Sequence, residues 1–205
     1  MNDKWLSVAM RLQSIAQAGL QYGKDPYDIA RYTELREIAA QLLAERTDLP
    51  PEKIHAVFCN ETGYQTPKLD TRAAVFSEGK ILLVHEADGT WALPGGWCDV
   101  DQSVASNTEK EVLEEAGLRV RAVRLIALQD WRLHNVRNYA HGVIKAFVLC
   151  ENLGGTFAEN PETTEARFFE KTALPAELAT QRSSKEQILL CFSAFENPDM
   201  PTQFD

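Results

Sequence analysis

The chain has 205 residues, of which 44% are hydrophobic and 25% charged, and its formal net charge is −9. This composition is that of an ordinary globular protein with room for one large domain or two small ones. The negative charge argues against a protein whose main task is electrostatic capture of nucleic acid, so a nucleic-acid partner is not expected. It does not exclude a phosphorylated substrate, because bound cations reverse the charge of an acidic site.

The sequence contains no apolar run long enough to span a bilayer, and we expect neither a secretory leader at Met1 nor a membrane partner. The cysteines are scattered and form no C-x-x-C pair; they are Cys59, Cys98, Cys150 and Cys191. This spacing is typical of reduced thiols rather than of a zinc site or a disulfide framework. We therefore predict a cytoplasmic protein.

The first part of the chain has helical periodicity. Apolar residues recur at three- and four-residue steps over residues 5–16 and again over 29–42. A third, short helix is predicted from residues 50–51, because proline suits the first turn of a helix. Residues 61–67 are polar and contain glycine and proline, which indicates a linker. We predict a small all-α domain over residues 1–60.

After the linker the pattern changes to strands. The predicted strands are Thr71–Phe76, Lys80–His85, Val120–Gln129, Gly142–Cys150 and the short Ala166–Phe169. Turns are predicted at Asp88-Gly89 and Gly154-Gly155, and a closing helix over residues 184–195. Strands with helices on both sides predict an α/β/α sandwich with a mixed sheet over residues 68–205.

A further helix is predicted after Gly95-Gly96, with Ser103 as its N-cap and Gly117 as the glycine after its last turn. Its exposed face carries acidic residues, and like charges one turn apart destabilise a helix unless they have a function.

Three of these acidic residues, Glu111, Glu114 and Glu115, fall within about 100° of one another around the helix, whereas Glu109 points to nearly the opposite side. One interpretation is a solvated acidic face, which is what charge runs usually are. The other is a site for Mg²⁺ or Mn²⁺, since clustered carboxylates are the ligands that these ions prefer.

The segment from Gly96 to Leu118 resembles the Nudix box, written G-x5-E-x7-R-E-U-x-E-E-x-G-U, where U is a bulky aliphatic residue. With Gly96 on the first glycine, the box residues that match without a gap are Glu111, Val112, Glu114, Glu115, Gly117 and Leu118. Two positions differ, because Gln102 stands in place of glutamate and Lys110 in place of arginine.

The resemblance implies a metal-dependent hydrolase whose cofactor is Mg²⁺ (or Mn²⁺). It makes Glu111 and Glu115 the principal metal ligands, with Glu114 contributing to metal binding and catalysis and the Gly95 carbonyl able to complete a metal shell. A general base in this family often lies on a loop after the box. Glu162 and Glu165 are the candidates here, with solvated loop glutamates as the alternative.

The two differences affect the support of the metal ligands. In the family, the first glutamate is thought to pair with the arginine and so to orient the metal-binding carboxylates. Lys110 can still hold a carboxylate by charge, though without the bidentate geometry of arginine. Gln102 can accept a hydrogen bond but cannot bind metal as an anion. We expect an active enzyme in which this second layer around the metal is modified.

Substrate contacts are less well defined by the sequence. Arg72, on the first strand after the linker, is the leading candidate for binding phosphate oxygens, followed by Arg132, Arg137 and Lys145. Several aromatic residues are candidates for stacking on a base, although such residues more often serve in packing; they are Tyr64, Trp97, Trp131 and Tyr139.

The helical front part, the segment from Glu61 to Lys68, and Asp70 and Arg72 together are similar to a Nudix subgroup with an N-terminal helical domain. Its best-known members resemble CDP-choline pyrophosphatase and ADP-ribose pyrophosphatase. In that subgroup the front domain helps to build a homodimer, so a homodimer is implied here.

Three hypotheses for function follow. The first is hydrolysis of the pyrophosphate in a nucleoside diphosphate linked to another moiety, of the ADP-ribose or CDP-choline type, to a nucleoside monophosphate and a phosphorylated product. The alternative is a non-catalytic nucleotide-sensing module with the Nudix fold, and Gln102 favours it slightly. The third is an enzyme acting on nucleoside triphosphates or nucleic-acid ends. The retained glutamates of the box favour the first hypothesis.

Overall fold

The computed structural model describes residues 4–45, 51–135 and 141–205. The described residues form two compact units, one holding those up to Pro67 together with residues 141–142, and the other holding the rest from Lys68 onward. None of the helices in these ranges is long and apolar enough to cross a membrane.

The first unit is built from three helices, α1 (Lys4–Tyr22), α2 (Pro26–Ala44) and α3 (Pro51–Phe58). Asp25 caps α2 by accepting hydrogen bonds from the backbone of Tyr27 and Asp28. The apolar core of this unit consists of Ala9, Ala39, Ala40, Leu43, Ile54 and Phe58. The helical prediction for this part of the chain is confirmed; Pro50, included in the predicted third helix, lies outside the described residues.

The second unit contains a mixed sheet of seven strands. They are β1 (Lys68–Ser77), β2 (Lys80–Glu86), β3 (Trp91–Ala92), β4 (Leu118–Asp130), β5 (Val143–Gly155), β6 (Thr163–Phe169) and β7 (Gln203–Phe204). The strand order is β3-β2-β1-β5-β4-β7, and β6 pairs with β2. β1 is parallel to β5 and β4 is parallel to β7, whereas the other pairs are antiparallel.

The short strands β3 and β7 were not predicted, because two-residue strands carry no readable alternation. The prediction of a turn at Gly154-Gly155 was wrong: both glycines belong to the end of β5.

Helices cover both faces of this sheet. They are α4 (Val104–Ala116), α5 (Trp131–His134) and α6 (Lys185–Glu196). On one face Val112 and Ala116 of α4 pack against alternate strand residues, among them Ala73, Val75, Leu82 and Val84. On the other face Ile188 and Phe192 of α6 pack against the intervening strand residues, among them Ala74, Phe76, Ile81 and Leu83. This alternation confirms the predicted α/β/α sandwich.

Strands β1 and β2 separate soon after their connecting turn, since their ladder pairs only Phe76 with Ile81 and Ser77 with Lys80. Nearer its start, the backbone of β1 forms hydrogen bonds with the segment that follows β3, residues 94–96. The Thr71 N–H donates to the Gly96 carbonyl and the Ala73 N–H to the Pro94 carbonyl, each at 2.8 Å. The glycine pair before α4 is thereby fixed against the middle of the sheet.

Gly95 permits this close contact. Its φ is 141°, and a Cβ atom built on it would lie 1.9 Å from the Thr71 carbonyl oxygen. Because that neighbour is backbone in a strand, a side chain at position 95 requires the segment to move away from β1.

We predict that Gly95→Ala lowers the free energy of unfolding by about 2–5 kcal/mol, as the sum of backbone strain and overpacking. Urea denaturation measures the loss. Gly79→Ala is the matched control, because Gly79 has a φ of 75° but no atom within 4 Å of its Cβ position. The Gly79→Ala loss therefore measures backbone strain alone, and the additional loss in Gly95→Ala measures the cost of the close approach to β1. Equal losses in the two variants would show that the close approach to β1 contributes nothing.

Candidate functional site

Both ends of α4 are fixed by its local sequence. Ser103 and Ser106 form a reciprocal capping box, in which each hydroxyl accepts a hydrogen bond from the backbone N–H of the other residue. At the other end Gly117 is left-handed, with a φ of 66°, and its N–H donates to the Leu113 carbonyl. The predicted N-cap and terminal glycine are confirmed, and they set which residues α4 turns toward the glycine segment.

Glu111 and Glu115 are the residues that α4 presents to the glycine segment. Glu115 is 3% exposed, and its Oε2 accepts a hydrogen bond of 2.8 Å from the Gly95 N–H. Glu111 is 9% exposed, and its Oε2 lies 3.0 Å from the Cβ position of Gly96. Glu109 points away and accepts a hydrogen bond from the Ala122 backbone on β4, as its angular position on the helix predicts.

Burial makes these carboxylates electrostatically unfavourable. Desolvation raises the pKa of Glu115 to about 7, although the nearby charge of Arg72 and the Gly95 N–H both act to lower it. Desolvation likewise raises the pKa of Glu111, against the opposing charge of Lys110. A divalent cation would remove this cost by supplying the missing positive charge.

The donor set fits Mg²⁺ or Mn²⁺, because both ions prefer hard oxygen ligands such as these carboxylates and the neighbouring backbone carbonyls. Among the described residues, however, no three His, Cys, Asp or Glu side chains converge closely enough to hold an ion. In the structure these carboxylates have other partners. Glu115 bonds to the Gly95 N–H, and Glu114 lies beside Lys110 on the more exposed side of α4.

Lys110 is surrounded by acidic groups. Its Nζ lies 2.9 Å from Asp99 Oδ2, 3.4 Å from Glu114 Oε2 and 3.5 Å from Glu111 Oε1. The Asp99 partner was not predicted. Gln102 touches this cluster only through its backbone N–H, which donates to the Asp99 carbonyl; within the described ranges its side chain forms no hydrogen bond with Lys110.

The loop before β6 is attached to the last turn of α4. The Thr163 hydroxyl donates to the Glu115 carbonyl at 2.7 Å, and the Asn160 side chain donates to the Glu114 carbonyl at 3.1 Å. Glu162 lies on this loop and is exposed, and its carbonyl accepts a hydrogen bond from Ala87 at the end of β2. The structure therefore brings Glu162 to the carboxyl-terminal end of α4.

Glu165 lies elsewhere. Its carboxylate accepts hydrogen bonds from Arg167, whose guanidinium lies over the rings of Trp91 and Phe169. Those two aromatic residues pack with the α6-side core. Because residues two apart on a strand share a face, Glu165 is on the face of the sheet opposite to α4. This position does not suit a base acting at the α4 carboxylates.

Arg72 is deeply buried, with 3% of its surface exposed. Its Nε and Nη2 donate to the two carboxylate oxygens of Asp70 at 2.8 Å, and its Nη1 donates to the Leu93 carbonyl. Burial alone would raise the pKa of Asp70, but Arg72 and Lys145 hold it below the usual value. This position does not support the predicted contact of Arg72 with substrate phosphate. The guanidinium is buried and already bound to Asp70 and the Leu93 carbonyl, so a substrate cannot reach it.

Sequence reasoning also missed an ion pair between a buried carboxylate and a more exposed arginine. Glu86, at the end of β2, is 5% exposed and accepts a hydrogen bond from Arg182. The charge of Glu86 raises the pKa of Glu115, whereas the charge of Arg72 lowers it. The available signal was a carboxylate directly after the apolar run of β2 and His85. Two substrate candidates, Arg137 and Tyr139, lie outside the described residues.

Comparisons with known proteins agree with this architecture. A model of the NUDIX domain matches residues 66–190. A second model, described as a UDP-X-like, N-terminal oligomerisation domain, matches residues 3–58.

Three relatives are similar over much of the chain. A putative ADP-ribose pyrophosphatase of Bacillus subtilis (strain 168) is 39% identical over 206 residues, which cover 100% of this chain and 99% of the relative. A crystal structure of UDP-X diphosphatase is 32% identical, covers 98% of each chain and has a TM-score of 0.64. A crystal structure of an ADP-ribose pyrophosphatase from Streptococcus suis 89-1591 is 52% identical over 68% of this chain and 100% of its own, also with a TM-score of 0.64. Together with the box on α4, these matches show that the chain belongs to the Nudix family.

Proposed function

We propose that this Nudix protein is a metal-dependent pyrophosphohydrolase that cleaves a nucleoside diphosphate linked to another moiety into a nucleoside monophosphate and a phosphorylated product. The observation that carries the proposal is the pair of desolvated carboxylates, Glu111 and Glu115, beside the glycine segment on the Nudix helix. One relative that matches the whole chain is a putative ADP-ribose pyrophosphatase, so ADP-ribose is the first substrate to test and CDP-choline the second.

The chemistry requires positive charge near the pyrophosphate, because its oxygens repel an incoming nucleophile. A bound Mg²⁺ or Mn²⁺ supplies that charge and makes a bound water more acidic. In this chain Glu111 and Glu115 would hold the metal, with Glu114 and the Gly95 carbonyl as further ligands. Arg72 does not touch substrate in this scheme; its buried charge helps to keep Glu115 ionised.

Glu162 is the residue that we assign as general base. Its loop is tied to the last turn of α4 through Thr163 and Asn160, so the loop that carries Glu162 lies beside the helix of the proposed metal ligands. In this role it accepts a proton from the attacking water. Glu165 is left out because its carboxylate is paired with Arg167 on the other face of the sheet.

The sensing-module alternative is weaker. A module that only binds nucleotide has no need to keep several carboxylates on α4, two of them buried at an energetic cost. A preference for nucleic acid is likewise weakened by the net charge of −9.

We expect Glu115→Gln to lower kcat/KM by about 10²-fold or more, because it removes a negatively charged metal ligand. The assay compares ADP-ribose, CDP-choline and UDP-linked sugars with Mg²⁺ or Mn²⁺. Glu109→Gln is the matched control on the same helix, since its amide oxygen can still accept the Ala122 hydrogen bond. Equal losses in both variants would contradict the metal assignment. A wild-type protein that binds a nucleotide but cleaves none would favour the sensing module.

For the general base, we predict that Glu162→Gln lowers kcat by about 10²–10⁴-fold, while Glu165→Gln leaves kcat near the wild-type value. Steady-state rates with saturating metal measure both effects. A larger loss of kcat in Glu165→Gln than in Glu162→Gln would show that the assignment of Glu162 as the general base is wrong.

We also propose that the protein is a homodimer assembled through its helical front part, consistent with the division into residues 1–60, a linker at 61–67 and a Nudix domain at 68–205. The matching family model is described as an oligomerisation domain. In addition, Ile15 on α1 and Ile38 on α2 are 40% and 43% exposed, which suits a surface that is covered in an assembly.

Cytoplasmic localisation stays a prediction, supported by the four free cysteines.

Sedimentation equilibrium should give twice the chain mass of 23.0 kDa for the wild type. Ile15→Glu combined with Ile38→Glu should shift the protein toward the monomer, because each change places a charge in an apolar interface. Leu153→Glu is the control, at a similarly exposed apolar residue on β5. A monomeric wild type, or a dimer unaffected by the double change, would contradict the proposed interface.

A further inference from the structure

The ammonium group of Lys110 lies among three carboxylates that belong to different parts of the chain. Asp99 comes from the loop before α4, whereas Glu111 and Glu114 come from α4 itself. The contact with Asp99 is the shortest, at 2.9 Å, and is a hydrogen bond. The contacts with Glu111 and Glu114 are 3.5 and 3.4 Å. Lys110 is thus drawn toward Asp99 rather than toward the box glutamates.

The backbone of Asp99 is held in place by hydrogen bonds. Its N–H donates to Asn107 Oδ1 at 3.1 Å, and its carbonyl accepts a hydrogen bond from the Gln102 N–H at 3.0 Å. Asn107 is fully buried on α4 and donates in turn to the Thr71 hydroxyl on β1. The Asp99 backbone therefore has a defined position relative to α4 and the sheet, and its half-exposed carboxylate is bound to Lys110.

The family pattern has a carboxylate at position 102, where this chain has Gln102. The nearest anionic partner of Lys110 is instead three residues earlier in the chain, at Asp99. Both members of the usual pair have changed, and the structure contains a different pair close to the same ligands. A lysine without a fixed anionic partner would be free to bind the oxygens of Glu111 and Glu114 itself, in competition with a metal ion.

We propose that Asp99 is a positioning residue of the metal site: it binds the Lys110 ammonium and so keeps Glu111 and Glu114 available to a divalent cation. The proposal rests on the proposed function in so far as these glutamates are metal ligands. Asp99 acts through Lys110 and touches neither metal nor substrate. In this chain it takes over the charge that Gln102 cannot supply.

The test measures Mn²⁺ binding to the full-length protein without substrate, by calorimetry or by the spin-resonance signal of free Mn²⁺. We expect Asp99→Asn to weaken Mn²⁺ binding by about tenfold, at the lower end of the range for residues that orient metal ligands. The asparagine keeps the size of the side chain but loses its charge. In the Lys110→Met background the same change should have little effect, because the cation through which Asp99 acts is gone.

Glu196→Gln is the matched control. Glu196 and Lys171 form a similarly exposed pair at 2.8 Å, on α6 and the loop that follows β6. Its loss should leave Mn²⁺ binding unchanged, so any general effect of removing a surface carboxylate is accounted for. The Asp99→Asn effect should also shrink at high salt, since a half-exposed pair is screened. Asp99→Ser serves as a second variant if Asp99→Asn folds poorly by circular dichroism.

Three results would overturn the proposal. The first is an Asp99→Asn protein that binds Mn²⁺ as tightly as the wild type. The second is an equal loss in the presence and absence of Lys110, which would mean that Asp99 acts by another route. The third is a Gln102→Ala loss as large as that of Asp99→Asn. Mn²⁺ binding that responds as expected, in a protein that cleaves no nucleotide, would count against the proposed function alone.

Discussion

The structure of the site depends on the backbone contact between β1 and the glycine segment that follows β3. Two strand hydrogen bonds, from Thr71 to Gly96 and from Ala73 to Pro94, bring that segment against the sheet. Gly95 then donates its own N–H to Glu115 on α4. One short piece of backbone thus connects the sheet to the acidic helix, and the absence of a side chain at Gly95 is the condition for this contact.

The energetics of the site follow from burial. Glu111 and Glu115 are removed from water with little direct compensation, and their pKa values rise as a result. The buried cation Arg72 acts on both carboxylates, but it is already bound to Asp70 and compensates only in part. Such an arrangement is costly for the protein alone and favourable once a cation binds, which is the relation expected of a site organised for function.

The proposed role of Asp99 is an example of a family pattern whose charges come from different positions in the sequence. A carboxylate–cation pair beside the metal ligands needs two opposite charges at short distance, and their positions in the sequence matter less than their positions in space. In this chain Lys110 supplies the cation, and the anion at hydrogen-bonding distance is Asp99. The Gln102 backbone N–H donates to the Asp99 carbonyl in the same loop.

The sequence alone determined the two-part organisation into helices and a mixed-sheet sandwich, the caps of α4 and the angular position of its glutamates, because these depend on local periodicity and on fixed spacing along one helix. The tertiary structure decided the rest. It buried Arg72 against Asp70, separated Glu162 from Glu165 onto different sides of the sheet, and paired Lys110 with Asp99. The burial of the Arg72–Asp70 pair depends on packing between elements distant in sequence, and the positions of Glu162 and Asp99 depend on the paths of loops. No local pattern encodes either.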